Sequence, residues 1–393
     1  MLNSSDNNKH VILIGIDGIR SDALKIGIQK GELPNFERII NNGYANFSVQ
    51  SLRTTLSVPC WKSILTGRIS HGITQNNYLK HCLTDKGVKK KNTDIKHIQQ
   101  IIFEHDPSII TRTITSWNKL HIEHLLENEH NTNKPLSNFY NHMSTNVHRN
   151  DDPDLTASKH DLSNMGLPNK KYIEGLDKKV FEETLNALDT KDTNSPQFIF
   201  TYFDYVDSAG HYGNGGFSID NPKYKQALKH TDSYIKQIYN AIEQRCIQYE
   251  SEKWLVVLIT DHGGTVPKDV GLSDNSQVCH LGHGQDTYHE RASFIILKEF
   301  YNVKKLNETS FPTLNYDKLS DSEDKTITPS IADTPLIIYD YLNIPAPDNL
   351  DSKRFIDLRS AYNNSQNQKS IKKKAKFSTS IKSLYDIALD KYR

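Results

Sequence analysis

Cysteine, net charge and long apolar runs are all scarce in this 393-residue chain. The four cysteines, Cys60, Cys82, Cys246 and Cys279, are scattered without CxxC spacing, which argues against a disulfide framework or a thiolate zinc cluster. Lys and Arg total 48 against 47 Asp and Glu, so no global field recruits a nucleic-acid duplex or an anionic membrane. An anionic substrate must therefore be gripped locally. No stretch nears the roughly 18 continuous apolar residues of a membrane span, and the opening MLNSSDNNKH is polar rather than an apolar leader. The expectation is a soluble chain with no membrane span, cytoplasmic or exported without a cleavable signal peptide.

What the sequence does contain is short, β-branched runs ending in acid. His10-VILIGID-Gly18 reads as a buried parallel strand with Asp17 at its carboxyl end, the end where open α/β sheets bind ligands. QFIFTYFD (197–204) and KWLVVLITD (253–261) repeat the pattern, with weaker strand candidates at 109–115 and 293–297. Helical patterns lie between them. The clearest is 222–245, where Leu228, Thr231, Ile235, Ile238 and Ile242 recur at three- and four-residue steps after Pro222. Alternating strands and helices predict one α/β domain with a mostly parallel central sheet and helices on both faces. Residues around 120–170, rich in Asn, Asp, Ser and His from 127 onward, read as an inserted cap or loop, and a basic tail starts near 361.

The chemistry-bearing residues cluster in five segments. In TTLSVPCWKSILTG (54–67), Ser57 precedes Pro59 and an apolar helical pattern, so it sits at a helix N-terminus that favours an alkoxide or a phosphate. A plain N-cap serine is the competing reading. Asp207-SAG-His211 places an acid and an imidazole four apart, on one face if the backbone is helical. Asp261-His262 abuts a core strand and is followed by two glycines that permit close backbone approach. His283 is flanked by Gly282 and Gly284 in LGHGQD, with His280 as the rival ligand. Asp17, Ser57, Asp207, His211, Asp261, His262 and His283 together supply the oxygen and nitrogen donors of a two-metal phosphoryl-transfer site.

The order of these segments resembles the alkaline phosphatase superfamily, in its type I phosphodiesterase and nucleotide pyrophosphatase branch. The similarity runs from about 10 to 360 through DG at Asp17, S-x-P-x-W at Ser57, SHG and Asn from Ser70 to Asn76, D-x-x-G-H at Asp207, DHGG at Asp261, and GHG with a downstream Glu290-Arg291. The resemblance implies an alkaline phosphatase-like fold and two divalent ions, zinc by preference. Asp207, His211 and His283 would hold one ion; Asp17, Asp261, His262 and the Ser57 oxygen would hold the other. It further implies Ser57 as nucleophile, Asn76 as a phosphate contact, and a small phosphodiester or nucleotide-like substrate. Threonine is the usual nucleophile of that branch, and serine here changes little chemically. A phosphomonoesterase, a phospho-group transferase or a silent binding protein on the same scaffold are the alternatives. A sulfatase is disfavoured, because Pro59 is followed by Cys60-Trp61-Lys62 rather than Ser-Arg. Cys60 reads as a packed helix residue and Arg20 with Asp22 as supports of the Asp17 turn or substrate contacts.

Overall fold

The computed structural model describes residues 8–69, 96–117, 120, 145–146, 170–189, 191, 195–211, 215–270, 282–302 and 329–351. Asn76, His280, Cys82, Cys279, nearly all of the 120–170 insertion and the tail from 361 lie outside them. Among the described residues, seven strands form one sheet: β1 (Lys9–Ile16), β2 (Tyr44–Gln50), β3 (Thr111–Thr115), β4 (Thr145–Asn146), β5 (Phe198–Phe203), β6 (Lys253–Ile259) and β7 (Ala292–Tyr301), in the order β2-β7-β6-β1-β5-β3-β4. The pairs β6-β1, β1-β5, β5-β3 and β3-β4 are parallel, and β7 runs antiparallel to both neighbours.

Side-chain alternation explains why β1 reads as unbroken apolar sequence. Ile12, Ile14 and Ile16 enter one core layer, while Val11 and Leu13 enter the other. The first layer is covered by α1 (Ser21–Gln29), α2 (Pro34–Asn41), α5 (Lys170–Ala187), α6 (Tyr205–His211) and α7 (Pro222–Gln248); the second by α3 (Ser57–Thr66), α4 (Ile98–His105) and α9 (Thr334–Leu342). The short α8 (Tyr288–Arg291) leads into β7. Pro222 falls in the first turn of α7, where Asn221 accepts from the Lys223 amide at 3.1 Å. The expected α/β architecture, with helices on both faces, is what the chain adopts.

The register brings the acids together. Ile16 pairs with Phe203 and Gly15 with Ile259, so the carboxyl ends of β5, β1 and β6 finish side by side, delivering Asp17 and Asp261 and opening directly into α6. Two strands escape the sequence pattern. In β2 the register shifts between Asn46 and Val49, which breaks the period-two signal, and β4 is only two residues long.

Away from the site, Glu299 on β7 is buried beside Leu255, with the Tyr341 hydroxyl donating to it at 3.2 Å. Burial pushes its carboxyl up to about 7, against the help of Tyr341 and nearby Lys253. A raised acid pKa favours the folded state below the unfolded value and loses that advantage as pH rises through the folded one. Glu299→Gln is therefore expected to be more stable than the parent above pH ~7, by up to about 3 kcal/mol, and no more stable below pH ~4.5. Urea unfolding at both pH values checks this, and an equal difference at the two would refute it.

Candidate active site

Ser57 is the first residue of α3, and Leu56 occupies the capping position without a side-chain cap bond. The plain N-cap reading of Ser57 is thereby set aside. Its Oγ instead faces the strand ends, 3.1 Å from His262 Nε2 and 3.4 Å from Asp17 Oδ1. One turn further along α3, the Trp61 indole donates to Asp17 Oδ2 at 3.0 Å, and the Tyr202 hydroxyl donates to the same oxygen at 2.7 Å. Asp17 thus has one oxygen held from behind and the other turned toward Ser57. Gly15 makes room for this: a Cβ there would lie 2.5 Å from the Trp61 ring.

Asp207 and His211 lie on α6, one turn apart, with His211 Nε2 3.3 Å from Asp207 Oδ2. Gly18, at φ 68°, allows this approach, since a Cβ would come within 2.6 Å of Asp207. Just past β6, Asp261 and His262 are wholly buried. His262 Nδ1 donates to the Gly263 carbonyl at 2.9 Å, so Nε2 carries the lone pair, 3.2 Å from Asp261 Oδ2. His283 Nδ1 donates to the Thr55 carbonyl at 2.6 Å, and its Nε2 lies 3.5 Å from Asp207 Oδ1. The rings of His262 and His283 stack at 3.8 Å, and Phe217 packs edge-on against His211. Gly282 sits where a Cβ would meet His211 at 2.9 Å, so the glycine makes room for His211 rather than for His283.

These atoms fall into two overlapping groups. Asp207, His262 and His283 place donor atoms within 4.8 Å of one another, as do Asp17, Asp261 and His262. Burial and the Asp207 charge push Asp17 up to about 7, and burial with the charges of Asp17 and Asp207 raises Asp261 well above the carboxylate range. Burial lowers His262 to about 4 and His283 to about 3, keeping both imidazoles neutral and available as lone-pair donors. Burial opposes charge on Asp207, but His211, His283 and His262 together outweigh it and hold the carboxyl low. Asp207 Oδ1 and Asp261 Oδ2 are buried without a hydrogen-bond donor. Three buried acidic side chains beside neutral imidazoles, with two oxygens unsatisfied, form a donor set that fits divalent cations.

All seven residues singled out in the sequence therefore converge on one edge of the sheet, while Asn76 is outside the described residues. Tyr202 and Trp61 were not legible as polar contacts of Asp17, although Trp61 stands four residues after Ser57 on the same helix face. Arg20 proves structural: it is buried, donates to Asp22 at 2.6 and 2.9 Å and to the Gly264 carbonyl at 3.1 Å, and pairs with Asp269. Cys60 is buried and reduced, its thiol pKa pushed up by burial.

The mostly parallel sheet, with this acid and imidazole cluster at its carboxyl edge, has an alkaline phosphatase-like fold, which solved structures share. The soluble domain of lipooligosaccharide phosphoethanolamine transferase A from Neisseria meningitidis aligns over 89% of this chain and 92% of its own, at TM-score 0.53 and 8% identity. The phosphonate monoester hydrolase of Silicibacter pomeroyi aligns over 88% and 76%, at 0.51 and 14%. The lipoteichoic acid synthase LtaP of Listeria monocytogenes aligns over 88% and 75%, at 0.50 and 10%. A search of curated proteins returned no match. The model of the type I phosphodiesterase/nucleotide pyrophosphatase family matches residues 11–308, and the chain belongs to that family. Membership supports a phosphoester hydrolase. Among the described residues, no helix is long and apolar enough to cross a membrane.

Proposed function

We propose that this chain hydrolyses phosphodiesters or nucleotide-like pyrophosphates, with Ser57 as nucleophile and two divalent ions, zinc by the mixed oxygen and nitrogen donor set. The observation that carries the reading is the Ser57 hydroxyl standing between Asp17 and His262, the latter shared by both donor groups. Asp207, His211 and His283 would hold one ion, and Asp17, Asp261, His262 and the Ser57 oxygen the other. When bound, such ions supply positive charge to the attacking and leaving oxygens of an in-line displacement.

The chain's own groups do the rest. Ser57 Oγ, at the positive end of α3, attacks phosphorus; the ester P–O bond breaks, the alcohol leaves, and the phosphoryl group resides on Oγ. Water then cleaves that bond and restores the hydroxyl. Trp61 and Tyr202 keep Asp17 facing Ser57 throughout, and the Thr55 carbonyl keeps the His283 ring turned to Asp207. Engagement of Arg20 with Asp22, Gly264 and Asp269 takes away one arginine that a doubly charged monoester would favour, which supports a diester carrying one charge fewer. Asn76 is the proposed neutral phosphate contact.

Metal analysis of the purified protein, joined to a panel of nitrophenyl phosphodiesters and monoesters, tests the reading. About two ions per chain, loss of turnover in chelator, and a higher kcat/KM for the diester are expected. Full activity in a metal-free preparation would overturn the metal site. A monoester with the higher kcat/KM would replace the diesterase with a phosphatase.

A further inference from the structure

Glu290 is completely buried, yet it belongs to neither donor group. Its Oε2 accepts from the Thr55 hydroxyl at 2.7 Å, the Gln285 amide at 2.8 Å and the Thr287 amide at 3.4 Å. Its carbonyl accepts from the Gly263 amide at 2.8 Å. The Thr55 hydroxyl in turn accepts from the Gly284 amide at 2.9 Å, and the Thr55 carbonyl takes the His283 Nδ1 proton. Thr55 is two residues before Ser57, Gly263 follows His262, and Gly284 follows His283. The side chains of Thr55 and Glu290, with the Glu290 carbonyl, thus tie together the three segments that carry the nucleophile and two imidazoles.

Capping the single turn of α8 accounts for the Thr287 contact but not for the others. A hydroxyl that donates to one point of segment 282–291 and accepts from another holds the Thr55 loop at a fixed distance from that segment, because both bonds stretch if either moves. Glu290 is wholly buried, so water does not compete for this bond. We infer that Thr55 and Glu290 form a positioning lock, which sets the distance between the Ser57 oxygen and the His283 imidazole. This rests on the proposed roles of Ser57 and His283.

Thr55→Val keeps the shape and removes both bonds, whereas Thr55→Ser keeps both. In the full chain, Thr55→Val is expected to lower kcat about 10- to 100-fold on a nitrophenyl phosphodiester, with KM within about threefold. Zinc should also be lost at lower chelator concentration, since His283 is less well held. Thr55→Ser should recover kcat to within about threefold of the parent, and so should Glu290→Gln, whose amide oxygen still accepts from the Thr55 hydroxyl. Should Thr55→Val fail to fold, Thr55→Ser and Thr55→Ala carry the comparison, the first near the parent and the second impaired. Parent-like kcat and zinc retention in Thr55→Val, or in Thr55→Ala, would overturn the lock while leaving the proposed activity intact. Thr55→Ser as impaired as Thr55→Val would also overturn it. A parent enzyme that binds no metal and cleaves no ester would overturn both.

Discussion

Ser57→Ala is expected to lower kcat on a phosphodiester by at least about four orders of magnitude, the scale seen when an enzyme loses its covalent nucleophile. The substitution removes only Oγ, whose contacts are Asp17 Oδ1 and His262 Nε2. Ser57 makes no capping bond to α3, so the helix loses little and the folded state should be disturbed by less than about 1 kcal/mol. Asp17 keeps its bonds from Trp61 and Tyr202, and His262 keeps its bond to Gly263. Zinc content should therefore fall far less than turnover. Measuring kcat, metal per chain and melting temperature on one preparation separates these effects. Turnover within about tenfold of the parent would remove Ser57 from the role of nucleophile.

The site was legible in the sequence to the extent that its parts are local. Asp207 and His211 share a helix, Asp261 and His262 are adjacent, and Asp17 and Asp261 end continuous apolar runs, so spacing and strand pattern suffice to flag them. Their convergence needs one further step: parallel strands place their carboxyl ends on a common edge, and β1, β5 and β6 are neighbours in the sheet. The close passage of Gly18 by Asp207 and of Gly282 by His211 was not legible, because each joins segments far apart in the chain.

Contacts made across the fold were not legible. Trp61 belongs to an apolar helical stripe, and nothing in that pattern reveals that its N–H reaches Asp17, 44 residues away. Tyr202 sits within a buried strand and donates over a separation of 185 residues. Glu290 was visible only as part of a motif, and its bond to Thr55 spans 235 residues. Such partners depend on register and loop path. The missed strand β2 has a related cause, because an edge strand with a bulge needs no apolar alternation on its open side.

Arg245→Ala should give the largest loss of stability, about 3–5 kcal/mol, without touching the chemistry. Arg245 is fully buried on α7 and grips Glu252 through two bonds, Nε at 3.0 Å and Nη2 at 2.5 Å, while Nη1 donates to the Asp189 carbonyl at 2.7 Å. Trp254 Nε1 also donates to Glu252 at 2.8 Å, and His10 stacks on the Trp254 ring at 4.5 Å. Removing the guanidinium strands a buried carboxylate, which costs more than the pair ever contributes. Arg245→Met combined with Glu252→Gln removes both charges and keeps an acceptor for Trp254, so it should recover at least about half of the loss. Because Glu252 precedes β6 and the catalytic cluster follows it, the cluster lies at the opposite end of the strand. Folded Arg245→Ala should keep parent-like kcat below its melting transition. A double variant no more stable than Arg245→Ala in urea unfolding would show that packing of the long side chain, rather than charge pairing, is what Arg245 provides.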